Sequence, residues 1–151
     1  MLRYRETAIF LKGHGVASRL DMSLANDVQE VGRVIDNLEE FGAGEGIGPG
    51  QSLRFGLAVG GLISYGLAGR SDGIITLSIE YADGALRAEL ADNGPPFDPL
   101  AAETAKPGGA VEERAVGGLG ITLVKTVMDR LDYRRDGGFN RVNMEMKLKA
   151  A

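Results

Sequence analysis

The sequence predicts an α+β domain, a two-layer α/β sandwich in which a mixed, mostly antiparallel sheet carries helices on one face. Three observations lead there. Apolar residues alternate at period two over 75–81, 86–90 and 142–148. They recur at helical period over 28–41, 52–66 and 121–131. The order of these segments is strand, helix, helix, hairpin, long loop, helix, hairpin, without the alternating strand–helix–strand units that build a parallel doubly wound sheet.

Residues 1–17 show little pattern beyond Ala8, Ile9, Phe10 and Leu11. They read as an N-terminal extension, a short extra strand or an oligomer contact, ahead of a domain spanning 18–149. Leu20, Met22 and Leu24 alternate and suggest a first strand over Arg19–Leu24. Asp27 with Glu30 three residues later resembles a helix-opening box. The helix that follows puts Val28, Val31, Val34, Ile35, Leu38 and Phe41 on one stripe, turns Glu30, Arg33, Asn37 and Glu40 away, and is expected to stop at a left-handed Gly42.

The stretch from Gly42 to Gly50 holds five glycines and one proline. No strand precedes it and no Gly-Lys-Ser/Thr follows, so it reads as a flexible connector and not a phosphate loop. A second helix from Ser52 to about Gly66 is apolar almost all round and is expected to be buried. Its glycines at 56, 60 and 61 each cost about 1 kcal/mol of helix propensity against alanine.

Ile75, Leu77, Ile79 and Tyr81, the dipeptide Asp83-Gly84, and then Leu86, Ala88 and Leu90 spell an antiparallel hairpin. Four of the five prolines fall between Pro95 and Pro107, within a loop that runs to about Ala115; loops of that length inside a domain usually serve as functional lids. A third helix opens at Gly117–Gly120 and shows Ile121, Val124, Met128 and Leu131 on one face. Asp136-Gly137-Gly138 then turns the chain into a last strand marked by Val142, Met144, Met146 and Leu148.

Composition narrows the function. At 151 residues, with 44% apolar and 25% charged side chains, the chain is one ordinary globular domain. A net charge of -4 argues against a nucleic-acid surface. The absence of cysteine removes disulfides, thiolate metal sites and thiol nucleophiles. The one histidine, His14, sits between glycines without the helical segment a phosphorylated histidine rides on, and reads as a surface residue. With no run of 18 apolar residues and no leader-like start, the chain is expected to be cytoplasmic, with no membrane contact.

Two segments are suited to a nucleotide. In Asp92-Asn93-Gly94, a carboxylate at a strand end can accept from an exocyclic amino group, and Gly94 lets a flat base approach the backbone; the same tripeptide is also ordinary turn chemistry. In Val116 to Ile121, the glycines at 117, 118 and 120 expose N–H groups at the positive end of a helix, which suits phosphate oxygens, although glycines there also serve as hinges. Arg134, Arg135 and Arg141 read as a solvated face.

Asp92 to Pro99, Val116 to Asp129 and Tyr133 to Met146 together resemble the two glycine boxes and closing strands of the anti-sigma-factor serine kinases, within the histidine-kinase-like ATPases of the Bergerat fold. The resemblance covers about residues 18–148. It implies a cytoplasmic transcription regulator of the serine/threonine-protein kinase type that binds ATP or ADP, holds a sigma factor, phosphorylates a small antagonist protein and pairs as a homodimer. It implies nucleotide-binding roles for Asp92 and Gly94 at the base, for Gly117, Gly118, Leu119, Gly120 and Ile121 at the phosphates, and for Asn143 on the adenine side, where the family tends to have threonine.

One half of the family pattern is missing. The second helix should carry a general-base glutamate and, four residues later, a Mg²⁺-ligating asparagine. Two registers put that pair at Gly61 and Tyr65 or at Leu57 and Gly61, and Ser52–Arg70 contains no Asp, Glu, Asn or Gln. No catalytic or metal residue is therefore assigned, Mg²⁺ is in doubt, and a pseudokinase that sequesters its partner becomes the alternative reading. Asp72 and Glu45 are the neighbouring acids that could replace the lost base.

Overall fold

Period-two alternation becomes a six-stranded sheet. The computed structural model describes residues 8–9, 18–27, 29–67, 73–101 and 119–149. Its strands are β1 (Ala8–Ile9), β2 (Ser18–Leu24), β3 (Ile75–Ala82), β4 (Ala85–Asp92), β5 (Arg130–Asp136) and β6 (Phe139–Lys147), in spatial order β1-β2-β3-β4-β6-β5. Every pairing among them is antiparallel. On the inward face Leu20, Leu77, Ile79, Leu86, Val142 and Met144 are each at most 4% exposed. The outward face is polar and cross-linked by ion pairs, Arg87 to Glu145 at 2.7 Å and Arg141 to Glu89 at 2.8 Å.

The β3–β4 hairpin closes as its sequence demands. Asp83 (φ 52°) and Gly84 (φ 72°) both adopt the left-handed region, as a two-residue type I′ turn requires. Within 1–17, Ala8 and Ile9 pair with Leu20 and Arg19, so the extra-strand reading holds for those two residues. The rest of that segment, His14 included, lies outside the described residues.

Among the described residues, three helices lie on the inward face: α1 (Glu30–Gly44), α2 (Pro49–Leu67) and α3 (Leu119–Val127), with α2 packed between the other two. Asp27 Oδ1 accepts from the Gln29 amide at 2.9 Å and Glu30 Oε2 from the Ala25 amide at 3.0 Å, so the acidic pair organises the turn into α1. Asn37, expected to face water, is buried and donates to the Arg33 carbonyl four residues back. The expected stop at Gly42 is wrong: α1 continues to Gly44, and the left-handed residue is Gly46 at φ 76°. Gly42 is instead a contact point, since a Cβ there would lie 2.1 Å from Ser52 Oγ.

The connector is also tighter than its composition suggests. Only residues 45–48 join α1 to α2, and Ile47 is buried in the core with its amide on the Gly42 carbonyl at 2.8 Å. Pro49 then opens α2 at the one place where a missing N–H costs nothing. Along α2, Gly56 and Gly60 are where α1 comes closest: a Cβ at Gly60 would meet Val31 Cγ1 at 2.7 Å, and one at Gly56 would meet Leu38 Cδ2 at 3.3 Å. Leu53 and Leu57 break the expectation of full burial, at 40% and 45% exposed, because they face away from both neighbouring helices and the sheet.

The third helix is shorter than its apolar period. At Asp129 the amide turns to the Glu145 carbonyl (2.8 Å), so Leu131, expected on the helix, belongs to β5. A leucine there satisfies the helical and the strand period alike.

Candidate functional site

Antiparallel pairing sets which residues meet at the end of β4. Asp92 lies opposite Asn140 of β6, and both follow the inward alternation of their strands, Leu90–Asp92 and Asn140–Val142. Asn140 is 2% exposed and its amide is fully used. Nδ2 donates to Asp92 Oδ1 (3.0 Å) and to the Pro95 carbonyl (2.9 Å). Oδ1 accepts from Tyr133 Oη (2.7 Å), the Phe97 amide (3.0 Å) and Arg135 Nη1 (3.2 Å). Asp92 Oδ1 also accepts from the Gly94 amide at 2.9 Å, and Arg135 Nη1 donates to the Gly94 carbonyl at 2.7 Å. A buried polar group this well satisfied holds its neighbours in one geometry.

Next to this cluster is a small cavity. Its walls are Leu62 and Ile63 of α2, Ile75, Leu90, Val142, Phe97 and Pro99, with Asp92 and Asn140 as its polar edge. Apolar walls with a carboxylate at one end match the chemistry of a planar base with an exocyclic amine. The open volume is about 20 Å³, room for about one water.

Helix directions turn the first turn of α3 toward the same end. Gln51, at the start of α2, accepts from the Lys149 amide (2.8 Å) beyond β6, whereas Leu62 and Ile63 near its finish line the Asp92 cavity. Thr126 and Val127 at the finish of α3 share a crevice with Gln51 and Arg54. Helix α3 thus runs antiparallel to α2, and its first turn, Leu119–Gly120, points to the Asp92 end.

The structure does not unite all the residues singled out in the sequence. Asp92 and Gly94 are joined by a hydrogen bond. Gly117 and Gly118 lie outside the described residues. Ile121 has no exposed surface, so its side chain serves the core. Asn143 is a correction: it pairs with Glu89 and lies with Arg87, Glu89 and Glu145 on the outward face, separated from Asp92 by the sheet. The polar residue of β6 that does reach Asp92 is Asn140, three positions earlier, and an odd offset along a strand reverses the face.

The metal half does not fit. Leu57, Gly61 and Tyr65 follow one another at i, i+4, i+8 on one stripe of α2, so both registers considered for a base and a metal ligand fall on it. None of the three offers a carboxylate or an amide oxygen. Tyr65 instead packs against Phe97, ring centroids 5.9 Å apart and planes tilted by 32°. Glu45, proposed as a stand-in, is at the opposite end of α2, where Ser18 Oγ donates to it at 2.7 Å; Asp72 is outside the described residues. Among the described residues no group of three or more His, Cys, Asp or Glu could hold a metal ion.

The family model described as histidine kinase-like ATPase domain matches residues 24–146. The chain belongs to that family. This ATPase domain also shares its fold with the solved RsbU and RsbW domains of Rv1364c from Mycobacterium tuberculosis, at TM-score 0.63 and 16% identity. That alignment covers 88% of this chain and 33% of the other, so the domain spans about a third of the length of its structural neighbour. No curated protein matches it. Among the described residues, no helix is long and apolar enough to cross a membrane.

Proposed function

We propose that this ATPase domain is a nucleotide-binding regulator of the anti-sigma-factor type that captures a protein partner and has lost efficient phosphotransfer. Supporting the first part is the Asp92–Asn140 cluster, a carboxylate oriented at the edge of an apolar cavity, with the first turn of α3 directed toward the same end. Bound there, ATP or ADP would supply a purine for Asp92 and phosphates for the helix N-terminus. Supporting the second part is the Leu57–Gly61–Tyr65 stripe: with no general base and no oxygen ligand for Mg²⁺, phosphoryl transfer by the family's arrangement is expected to fall by about 10² to 10⁴.

The partner follows from the resemblance of the glycine boxes, which points to a sigma factor or its antagonist protein, with a homodimer as the capturing form. Asp92 is the residue on which the reading turns. The test is twofold. With labelled ATP, Mg²⁺ and a small antagonist protein, no transfer above background is expected, while capture of the sigma factor persists in EDTA. Transfer at the rate of an active kinase, or capture that vanishes with the metal, overturns the proposal.

A further inference from the structure

The cavity beside Asp92 is far too small for the ligand its chemistry suits. Small-molecule pockets commonly offer ~300–1000 Å³, and this one offers about 20 Å³. Phe97 is one of its walls, packed against Tyr65 of α2. It stands out in its loop: the side chains of Asp98 and Arg135 bond to loop backbone at the Leu100 amide and the Gly94 carbonyl, whereas Phe97 carries a large apolar ring toward the cavity and is still 37% exposed.

We infer that Phe97 is an internal plug: its ring holds the space a base would occupy, and nucleotide enters only when the loop carrying it swings off Tyr65. The inference rests on the nucleotide reading above and adds regulation to the same site. Its physical core is the sharing of Asn140. The side-chain amide that orients Asp92 through Nδ2 also holds the Phe97 backbone amide through Oδ1, so the recognition carboxylate and the plug are tied to one buried residue. Moving Phe97 out therefore strains or breaks a bond in the cluster that positions Asp92.

The closed form lowers apparent affinity in proportion to the fraction of molecules that are open. An aromatic pair of this kind favours its closed arrangement by a factor of roughly 2 to 10. Removing the ring should return about that factor. Tyr65 acts from the other side of the same contact and should have a smaller effect in the same direction.

The experiment is a calorimetric titration of ADP into wild type, Phe97→Ala and Tyr65→Leu, with thermal melts to confirm that each variant is folded. Phe97→Ala is expected to bind ADP roughly 3 to 10 times more tightly than wild type, and Tyr65→Leu about twofold more tightly. Equal or weaker binding by Phe97→Ala, with wild-type binding intact, makes Phe97 an ordinary wall of the pocket and overturns the plug. Absence of ADP binding in all three folded proteins removes the nucleotide reading, and the plug with it. A second readout does not depend on affinity. The chain has no tryptophan, so Phe97→Trp places a lone reporter at the contact. Its emission is expected to move to longer wavelength as ADP displaces it into water, and an emission unchanged at saturating ADP counts against displacement.

Discussion

Two regions meet at one end of this molecule and differ in what they retain. At the end of β4, Asp92 and Asn140 keep a dense polar cluster with five hydrogen bonds on a single buried amide. On α2, which walls the cavity with Leu62 and Ile63, the stripe where a base and a metal ligand were sought reads Leu57, Gly61 and Tyr65, with no carboxylate and no side-chain amide. In the proposed reading, recognition and chemistry are thus separable here. The strand end is held by backbone pairing and side-chain hydrogen bonds that the fold itself maintains. The core face of α2 is Phe55, Ala58, Val59, Leu62 and Ile63, so the helix stays packed whatever the half-exposed Leu57–Gly61–Tyr65 stripe carries.

The most severe test of the strand side is Asp92→Ala. It removes the charged acceptor, and hydrogen bonds to charged groups contribute about 1.5–3 kcal/mol, so ADP affinity is expected to fall by about 10- to 100-fold in a calorimetric titration. A loss below about threefold would move the base to another place. Asn140→Ala is next and acts on stability. It strands Asp92 and Tyr133, both half-buried, each unsatisfied group costing about 1–3 kcal/mol, so urea unfolding should show a loss of at least about 2 kcal/mol. Asn143→Ala, on the outward face, should change both nucleotide affinity and stability little, within about 0.5 kcal/mol.

Helix packing gives effects of opposite sign. Gly60→Ala drives a methyl to 2.7 Å from Val31 Cγ1 and is expected to destabilise by about 1–3 kcal/mol despite the better helix former. Gly32→Ala, on the exposed side of α1 with nothing within 4 Å, should stabilise by about 0.5–1 kcal/mol. If both changes had the same sign, the close α1–α2 approach would not be what glycine serves in α2.

Local pattern made much of this architecture legible. The Asp83-Gly84 turn, the alternating strands and the apolar second helix follow from side-chain period and turn chemistry, which act within a few residues. What local pattern could not reach was long-range register. Whether Asn140 or Asn143 meets Asp92 depends on how β6 slides against β4, 48 residues away in the case of the observed Asp92–Asn140 bond. Leu131 fits both periods and needed the Asp129–Glu145 backbone bond to assign it to a strand. Phe97, Tyr133 and Arg135 carried no signal of their own, since each is an ordinary loop or strand residue until the register brings it to Asn140. Glycine content hid a packing role: at Gly42, Gly56 and Gly60, read as a helix stop and as a cost in helix propensity, it marks close helix contact.

The most direct measurement is a calorimetric titration of ADP and of ATP into the wild-type domain, first in EDTA and then with excess Mg²⁺. An intact base end beside a helix without metal ligands predicts binding in EDTA, with dissociation constants that change by less than about threefold when the metal is added. Binding that appears only with Mg²⁺, or no binding under either condition, would contradict it.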